Sequence, residues 1–245
     1  VSADFTATPQ YQTCQAIFDR WYPDFRNAGE QYRDLIAALT LPHTTLLDLG
    51  CGRSSLAEEP VRRAGLSLGV DLSLDDLAQN RVVSHAILAT GEALPFPAAA
   101  FDLVSSQWVV EHIERPEAVF VELERVLRPG GRAVLFTTNV NNYVPLLSRA
   151  LHGQLQHALI QRLLRRPIHE SFPTFYRANT QRRIRQLAQA TGLTLEEVRF
   201  VGNPFYLAFS PPLFRIALLF EKLTDAATLR HLKLYMIAVL RKPAE

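Results

Sequence analysis

Between residues 44 and 138 the chain alternates short apolar runs with stretches whose apolar positions recur every three or four residues. The runs at 45–49, 66–71, 82–88, 101–105 and 132–137 are apolar with little polar alternation, which predicts strands of a parallel sheet buried on both faces. Helical spacing over 54–64, 74–80 and 117–127 places crossover helices between them. Pro129-Gly130-Gly131 reads as the stop after the last of these helices. Ahead of the sheet, Tyr11, Ile17, Phe18, Trp21, Tyr22 and Phe25, then Tyr32, Leu35, Ile36 and Leu39, predict one or two amphipathic helices that pack on the core as a lid.

Beyond Thr138 the pattern changes. A long amphipathic helix rich in Leu, Arg and His is predicted over 144–164, an ordered loop over 169–177, and a helix over 180–191 that ends at Gly192. Strands at 193–201 and 233–241 can pair antiparallel, with a proline-broken segment at 203–223 between them. No repeats or low-complexity tracts interrupt the chain. The expectation is therefore one domain over 1–245: lid helices at about 8–40, a core at about 44–138, an insertion at about 139–178, and the rest of the sheet at about 179–245.

Composition narrows the class without naming a chemistry. Of 245 residues, 48% are hydrophobic and 20% charged, as in ordinary globular proteins and unlike disordered chains. A net charge of +2 offers no overall electrostatic basis for binding nucleic acid. Cys14 and Cys51 have no metal-ligand spacing, and a disulfide within a glycine loop would be awkward, so a reducing cytoplasm is expected and no metal. No secretory leader pattern is visible, and the apolar stretch at 203–220 is interrupted by Pro204, Pro211, Pro212 and Arg215, too short a run for a membrane span.

The turn after the first strand carries more information. In Asp48-Leu49-Gly50-Cys51-Gly52 the glycines let a ligand approach the backbone, at the strand end where open α/β sheets bind ligands. Asp48 would repel a pyrophosphate there and attract an ammonium group. Ser55 stands where a dinucleotide fingerprint needs its third glycine, and no phosphate-binding Gly-Lys-Ser/Thr loop occurs. Asp71 ends the second strand, where its carboxylate can accept from both hydroxyls of a ribose; alternatively it caps the helix that begins near Ser73. These residues point to a cationic, phosphate-free nucleoside.

The motifs that follow are more specific. Glu92-Ala93-Leu94-Pro95-Phe96-Pro97, Phe101-Asp102-Leu103-Val104, Glu111-His112-Ile113 and Leu127-Arg128-Pro129-Gly130-Gly131 resemble, in order, the successive motifs of the methyltransferase type 11 family, a branch of the class I S-adenosylmethionine-dependent methyltransferases. The resemblance spans about 46–138. It implies a Rossmann-like α/β fold with seven strands, mostly parallel with the last antiparallel, helices on both faces, N-terminal helices, and an insertion after the fifth strand. It also implies a cofactor, S-adenosyl-L-methionine, leaving as S-adenosyl-L-homocysteine. The methionine part would lie near Asp48, Gly50, Cys51 and Gly52, with ribose on Asp71. Adenine would lie beside Leu72, Thr90, Gly91, Glu92 and Ala93, and Ser106, Gln107 and Trp108 would approach the sulfonium. The sequence departs from the family pattern at Ser54, where a third small loop residue is often glycine, and at Thr90, where an aspartate is usual.

For the acceptor side, His112 with neighbouring Glu111 is the first candidate general base, and it can equally serve only to shape the site. His169, Glu170, Tyr176 and Arg177 form a second cluster within the insertion, where Arg177 could bind an anionic acceptor or simply anchor its loop. Arg162, Arg165, Arg166, Arg177, Arg182, Arg183 and Arg185 lie near the apolar segment at 203–220. They read first as a solvated face and second as a peripheral contact with an anionic membrane surface. The leading expectation is in-line methyl transfer to a small-molecule, lipid-like or glycan-like acceptor, by a monomer or homodimer with no nucleic-acid partner. The alternative is an S-adenosylmethionine-binding regulatory or assembly domain without turnover. A nicotinamide-dependent oxidoreductase conflicts with Asp48.

Overall fold

Helix α1 (Pro9–Trp21) starts at a Thr8 cap whose hydroxyl accepts from Tyr11 N, with proline in its first turn. Helix α2 (Ala28–Leu39) follows, and then the predicted alternation: β1 (Thr45–Leu49), α3 (Glu58–Arg63), β2 (Leu66–Asp71), α4 (Leu74–Gln79), β3 (His85–Leu88), β4 (Phe101–Gln107), α5 (Pro116–Val126) and β5 (Leu127–Thr138). Helices α6 (Tyr143–Ala150) and α7 (Gln181–Ala190), β6 (Thr194–Val201), α8 (Pro211–Leu223) and β7 (Tyr235–Arg241) complete the order. These come from a computed structural model that describes residues 6–150 and 173–244. The expected long helix over 144–164 and the loop from His169 therefore fall largely outside the described residues.

Seven strands form one sheet in the order β3-β2-β1-β4-β5-β7-β6. The pairs β1–β2, β1–β4, β2–β3 and β4–β5 are parallel. β7 runs against β5: Gly130 N donates to Lys242 O and Lys242 N to Gly131 O, both at 2.9 Å, while just past the end of β5 Asn139 N donates to Leu234 O at 2.7 Å. This is the mostly parallel sheet with a reversed last strand that the resemblance implies. The central strands are apolar because both their faces are covered: Leu46, Leu47, Leu103, Val104, Val134 and Phe136 are all buried. Helix α2 packs with α3, and α5 with α7.

The helix ahead of Pro129-Gly130-Gly131 ends as expected, but the triplet itself belongs to the strand that follows, which begins earlier than the predicted 132. Helix α5 ends at Val126 and the triplet lies within β5, at a register shift where Phe101 faces Leu127 but Leu103 faces Arg132. Gly130 at φ +81° lets the extra residues bulge without breaking the strand. Helix α3 is also shorter than its apolar spacing suggests, because residues 53–57 are held as a loop by contacts from β4 described below.

The described residues group into two compact units. The sheet unit takes Ala28–Thr138, Thr174–Arg199 and Met236–Glu245. The second unit takes the described residues within Val1–Asn27, Asn139–Pro173 and Phe200–Tyr235, so the two predicted N-terminal helices part company, α1 into the second unit and α2 into the sheet unit. The second unit has its own core, in which Cys14 and Phe18 of α1 pack with Ala208 and with Phe214 and Leu218 of α8. Phe18 and Phe205 meet at 5.0 Å between centroids.

Candidate functional site

Strand order reverses direction about β1, so the turns after β1, β2 and β4 open a crevice at their carboxyl ends. Asp48, next to last in β1, faces Gly69 and Ser105 in the flanking strands and is 0% exposed. One carboxylate oxygen accepts from Ser105 Oγ at 2.8 Å, and the other has no hydrogen-bond partner among the described residues. Burial pushes this carboxyl up to about 6, helped by the charge of Asp71 and opposed by the Ser105 hydroxyl. From α2, Tyr32 packs at a tilt against Phe136, 5.5 Å between ring centroids, and is fully buried. Burial and the charge of Asp48 hold its phenol well above the usual range. Tyr32, read from sequence as a core residue only, thus belongs to this site.

The glycine loop that follows is built by close approach. Gly50 and Cys51 both donate to Val70 O, at 2.8 and 3.0 Å. Gly50 has φ +72°, and a Cβ there would stand 2.1 Å from Val109 Cγ2. Gly52 has φ +47°, yet nothing lies within 4 Å of its Cβ position. The first glycine makes room for protein; the second leaves room for something else. Cys51 is buried with its Sγ against Gly69, and burial with the charges of Asp48 and Asp71 pushes its thiol up to about 12.

Asp71 spans two turns. One oxygen accepts from Gly52 N at 2.8 Å and the other from Ser73 N at 2.9 Å. Ser73 itself caps α4 by accepting from Asp76 N, so Asp71 shapes the turn ahead of the helix while Ser73 is its cap. Asn80, which sequence reasoning missed, completes the frame. Its Nδ2 donates to Gly52 O at 2.7 Å and Cys51 O at 3.3 Å, and its Oδ1 accepts from Val82 N and Val83 N. Nothing local in the sequence marks a buried asparagine that bridges chain segments thirty residues apart.

Leu72 is 62% exposed, an apolar side chain left in the open beside Asp71. On the next loop Thr90 accepts from Glu92 N at 3.3 Å, Gly91 sits 3.1 Å from Leu49 Cδ1 at its Cβ position, and Ala93 N bonds Thr90 O. The Glu92 carboxylate is engaged by Arg115, whose backbone N and Nε both donate to it. At the end of β4, Ser106 Oγ is buried without a hydrogen-bond partner among the described residues. Gln107 turns its amide to the loop after the glycines, accepting from Leu56 N at 2.9 Å and donating to Ser54 O at 3.3 Å. Trp108 adopts φ +57°, a conformation that costs energy in a non-glycine residue, and rests on Phe136 at 4.3 Å.

A second polar group lies where β4 and β5 end. Glu111, in a short 3-10 turn (Val110–His112), is 6% exposed, and its carboxylate accepts from Thr137 Oγ1 at 2.7 Å. Asn179 donates to the same Thr137 oxygen at 2.7 Å. Burial raises the Glu111 carboxyl, opposed by the Thr137 hydroxyl and by the charge of neighbouring His112. The Glu111 carbonyl accepts from Phe175 N at 2.8 Å and Tyr176 N at 3.2 Å, tying the segment after residue 173 to this turn. Tyr176 stands at φ +53°. Arg177 lies over the Phe175 ring and donates to Glu114 O at 2.8 Å, the anchoring arrangement of the two considered for it. Glu111, His112 and Tyr176 are thus brought together, while His169 lies outside the described residues. Among the described residues no group of three or more His, Cys, Asp or Glu side chains could hold a metal ion, and no helix is long and apolar enough to cross a membrane.

Comparison with known proteins agrees with this geometry. The family model described as "Methyltransferase domain" matches residues 47–135. A ubiquinone biosynthesis O-methyltransferase of Roseobacter denitrificans is 33% identical over 136 residues, 51% of this chain and 54% of that protein. A malonyl-[acyl-carrier protein] O-methyltransferase of Salmonella typhimurium is 34% identical over 147 residues, 57% of this chain and 58% of that protein. The chain thus spans about half the length of the curated relatives it matches. Among solved structures, an S-adenosylmethionine-dependent methyltransferase from Mesorhizobium loti aligns with a TM-score of 0.57 at 17% identity, over 85% of this chain and 96% of that one. That likeness carries the fold. Residues 47–135 thus match the methyltransferase domain family, within a fold that the chain shares with an S-adenosylmethionine-dependent methyltransferase of solved structure.

Proposed function

We propose that this chain transfers a methyl group from S-adenosylmethionine to an oxygen of a small, lipid-like or glycan-like acceptor, as one functional domain. The observation that carries this reading is the partnerless carboxylate oxygen of Asp48, buried behind a glycine turn whose Gly52 faces open space. A buried anion behind such a turn favours a ligand with an ammonium and a sulfonium over one with phosphates. Asp71 keeps lone pairs free for ribose hydroxyls after accepting its two backbone bonds, and exposed Leu72 offers adenine an apolar neighbour. The residues present fit the cofactor.

When bound, S-adenosylmethionine supplies an electrophilic methyl on a sulfonium and leaves as neutral S-adenosylhomocysteine. Little covalent help is needed from the protein, whose task is alignment and exclusion of water. Trp108 and Ser106 at the end of β4 would border the reacting centre. His112 would take the acceptor's proton, with Glu111 fixing the turn that carries it and holding Tyr176 nearby through its carbonyl. An oxygen acceptor is favoured because both matched relatives are named as O-methyltransferases. The test is calorimetric titration with S-adenosylmethionine. Binding is expected, and Asp71→Ala should weaken it by roughly one to two decades, the worth of a charge-assisted hydrogen bond. Absence of binding, or an unchanged affinity in the variant, overturns the assignment.

Ser54 and Thr90, the two departures from the family pattern, permit a second reading, cofactor binding without turnover. Its signature would be intact binding with no S-adenosylhomocysteine formed across a panel of phenol, carboxylate and hydroxyl acceptors. We also propose that the protein works in the cytoplasm with a peripheral contact to the membrane.

A further inference from the structure

Helix α8 is apolar on two opposite sides. Phe214, Ala217, Leu218 and Glu221 are buried in the second unit. Leu213, Ile216, Leu219 and Leu223 are 41%, 61%, 53% and 65% exposed. At about 100° per residue these four fall within an arc of roughly 120° that faces away from the buried side. A soluble helix normally fills that arc with charge, and four large aliphatic side chains in a row there ask for a cover.

The charges of α8 are distributed unequally. Its one acid, Glu221, is buried and paired with Lys233 at 3.3 Å. Its exposed charges, Arg215 and Lys222, are both cationic and share one flank of the apolar arc. Arg215 makes no ion pair or hydrogen bond among the described residues. Lys222 lies 4.0 Å over the Tyr22 ring and 3.9 Å from Asp225.

We propose that this face of α8 seats on an anionic lipid surface, lying in the plane of the headgroups with Leu213, Ile216, Leu219 and Leu223 at the acyl boundary. The long stem of Arg215 would let its charge reach lipid phosphates from the flank. With 13 residues the helix lies on the bilayer and does not span it. A second copy of the chain fits less well, because a two-fold contact through this face would bring Arg215 and Lys222 toward their own copies. This deepens the membrane contact proposed above by naming the surface and the lipid charge, and it does not depend on methyl transfer.

The experiment is co-sedimentation of the full chain with phosphatidylcholine vesicles, with and without phosphatidylglycerol. Wild type is expected to sediment with the phosphatidylglycerol vesicles, less with pure phosphatidylcholine, and less as salt rises. The Ile216→Asp/Leu219→Asp variant should lose at least about tenfold in partitioning, and Arg215→Glu should selectively weaken binding to the anionic vesicles. Both variants change exposed positions, and S-adenosylmethionine titration of the same preparations reports separately on the cofactor site. No sedimentation of wild type with anionic vesicles, or equal sedimentation of the variants, overturns the proposal. So does a dimer in sedimentation velocity that the double variant dissolves, which would assign the face to a second copy.

Discussion

Asp48→Asn should make the protein more stable at neutral pH while weakening its grip on the cofactor. The folded carboxyl sits at about 6 against an ordinary 3.8, so the folded chain holds a proton that the unfolded chain releases between those values. Stability from this group is therefore greatest below pH 3.8, falls as pH rises through about 6, and levels off above it. The full penalty for ionising Asp48 in place is about 3 kcal/mol. Asparagine keeps an acceptor for the Ser105 hydroxyl, carries no charge, and brings an amide N–H to the oxygen position that has no partner. For a chain of this size about 3 kcal/mol corresponds to roughly 6–12 °C in melting temperature. Thermal melts of ligand-free wild type and variant across pH 4 to 8 (an assay range) should coincide at the acid end and separate in the variant's favour above pH 6. Parallel profiles, or a variant that melts lower at pH 8, would refute the reasoning, because the buried charge would then cost nothing. The same variant should bind S-adenosylmethionine more weakly, so one substitution separates what Asp48 costs the fold from what it does for the ligand.

The two loop glycines should behave differently. Gly52→Ala, at φ +47° with open space around it, should cost stability only the left-handed strain of about 1–2 kcal/mol yet obstruct cofactor binding, whereas Gly50→Ala collides with Val109 and should lose both; melts paired with calorimetry distinguish them. Glu111→Ala removes the acceptor of a buried Thr137 bond and should destabilise by about 1–3 kcal/mol in urea unfolding, with Glu111→Gln recovering most of it; an alanine variant as stable as wild type would show the network to be idle. Cys14 and Cys51 are both buried, with thiols pushed up by burial, so neither should react with a thiol reagent at pH 8 until denaturant is added.

The sheet was legible because its central strands are buried on both faces, which leaves unbroken apolar runs: β1 and β2 fall at Thr45–Leu49 and Leu66–Asp71, as the pattern predicts. Pro129-Gly130-Gly131 marked the end of α5, but its place inside β5 was not legible, because its backbone is paired by a residue more than a hundred positions away, Lys242, a partner no local signal can announce. Likewise Asp48, Gly50, Gly52 and Asp71 stood out by spacing, whereas Asn80, Tyr32 and the Gln107 amide work through contacts 28 to 53 residues distant, or through a buried hydroxyl. Glu92 and Arg177 were placed on the correct loops, but their partners, Arg115 and Glu114, only the fold reveals. What the sequence withholds is the set of long-range polar ties, since each depends on geometry already assembled.

One of those ties bears on how binding should be measured. Because a single carboxylate, Asp71, clasps both Gly52 N and Ser73 N, the glycine turn and the turn after β2 are held together by the protein's own hydrogen bonds. The conformational entropy of ordering them is a debt settled during folding. A ligand stripped of one hydroxyl should then lose the free energy of that contact alone, with little change in heat capacity, and a series of such analogues would weigh each group of the natural ligand separately.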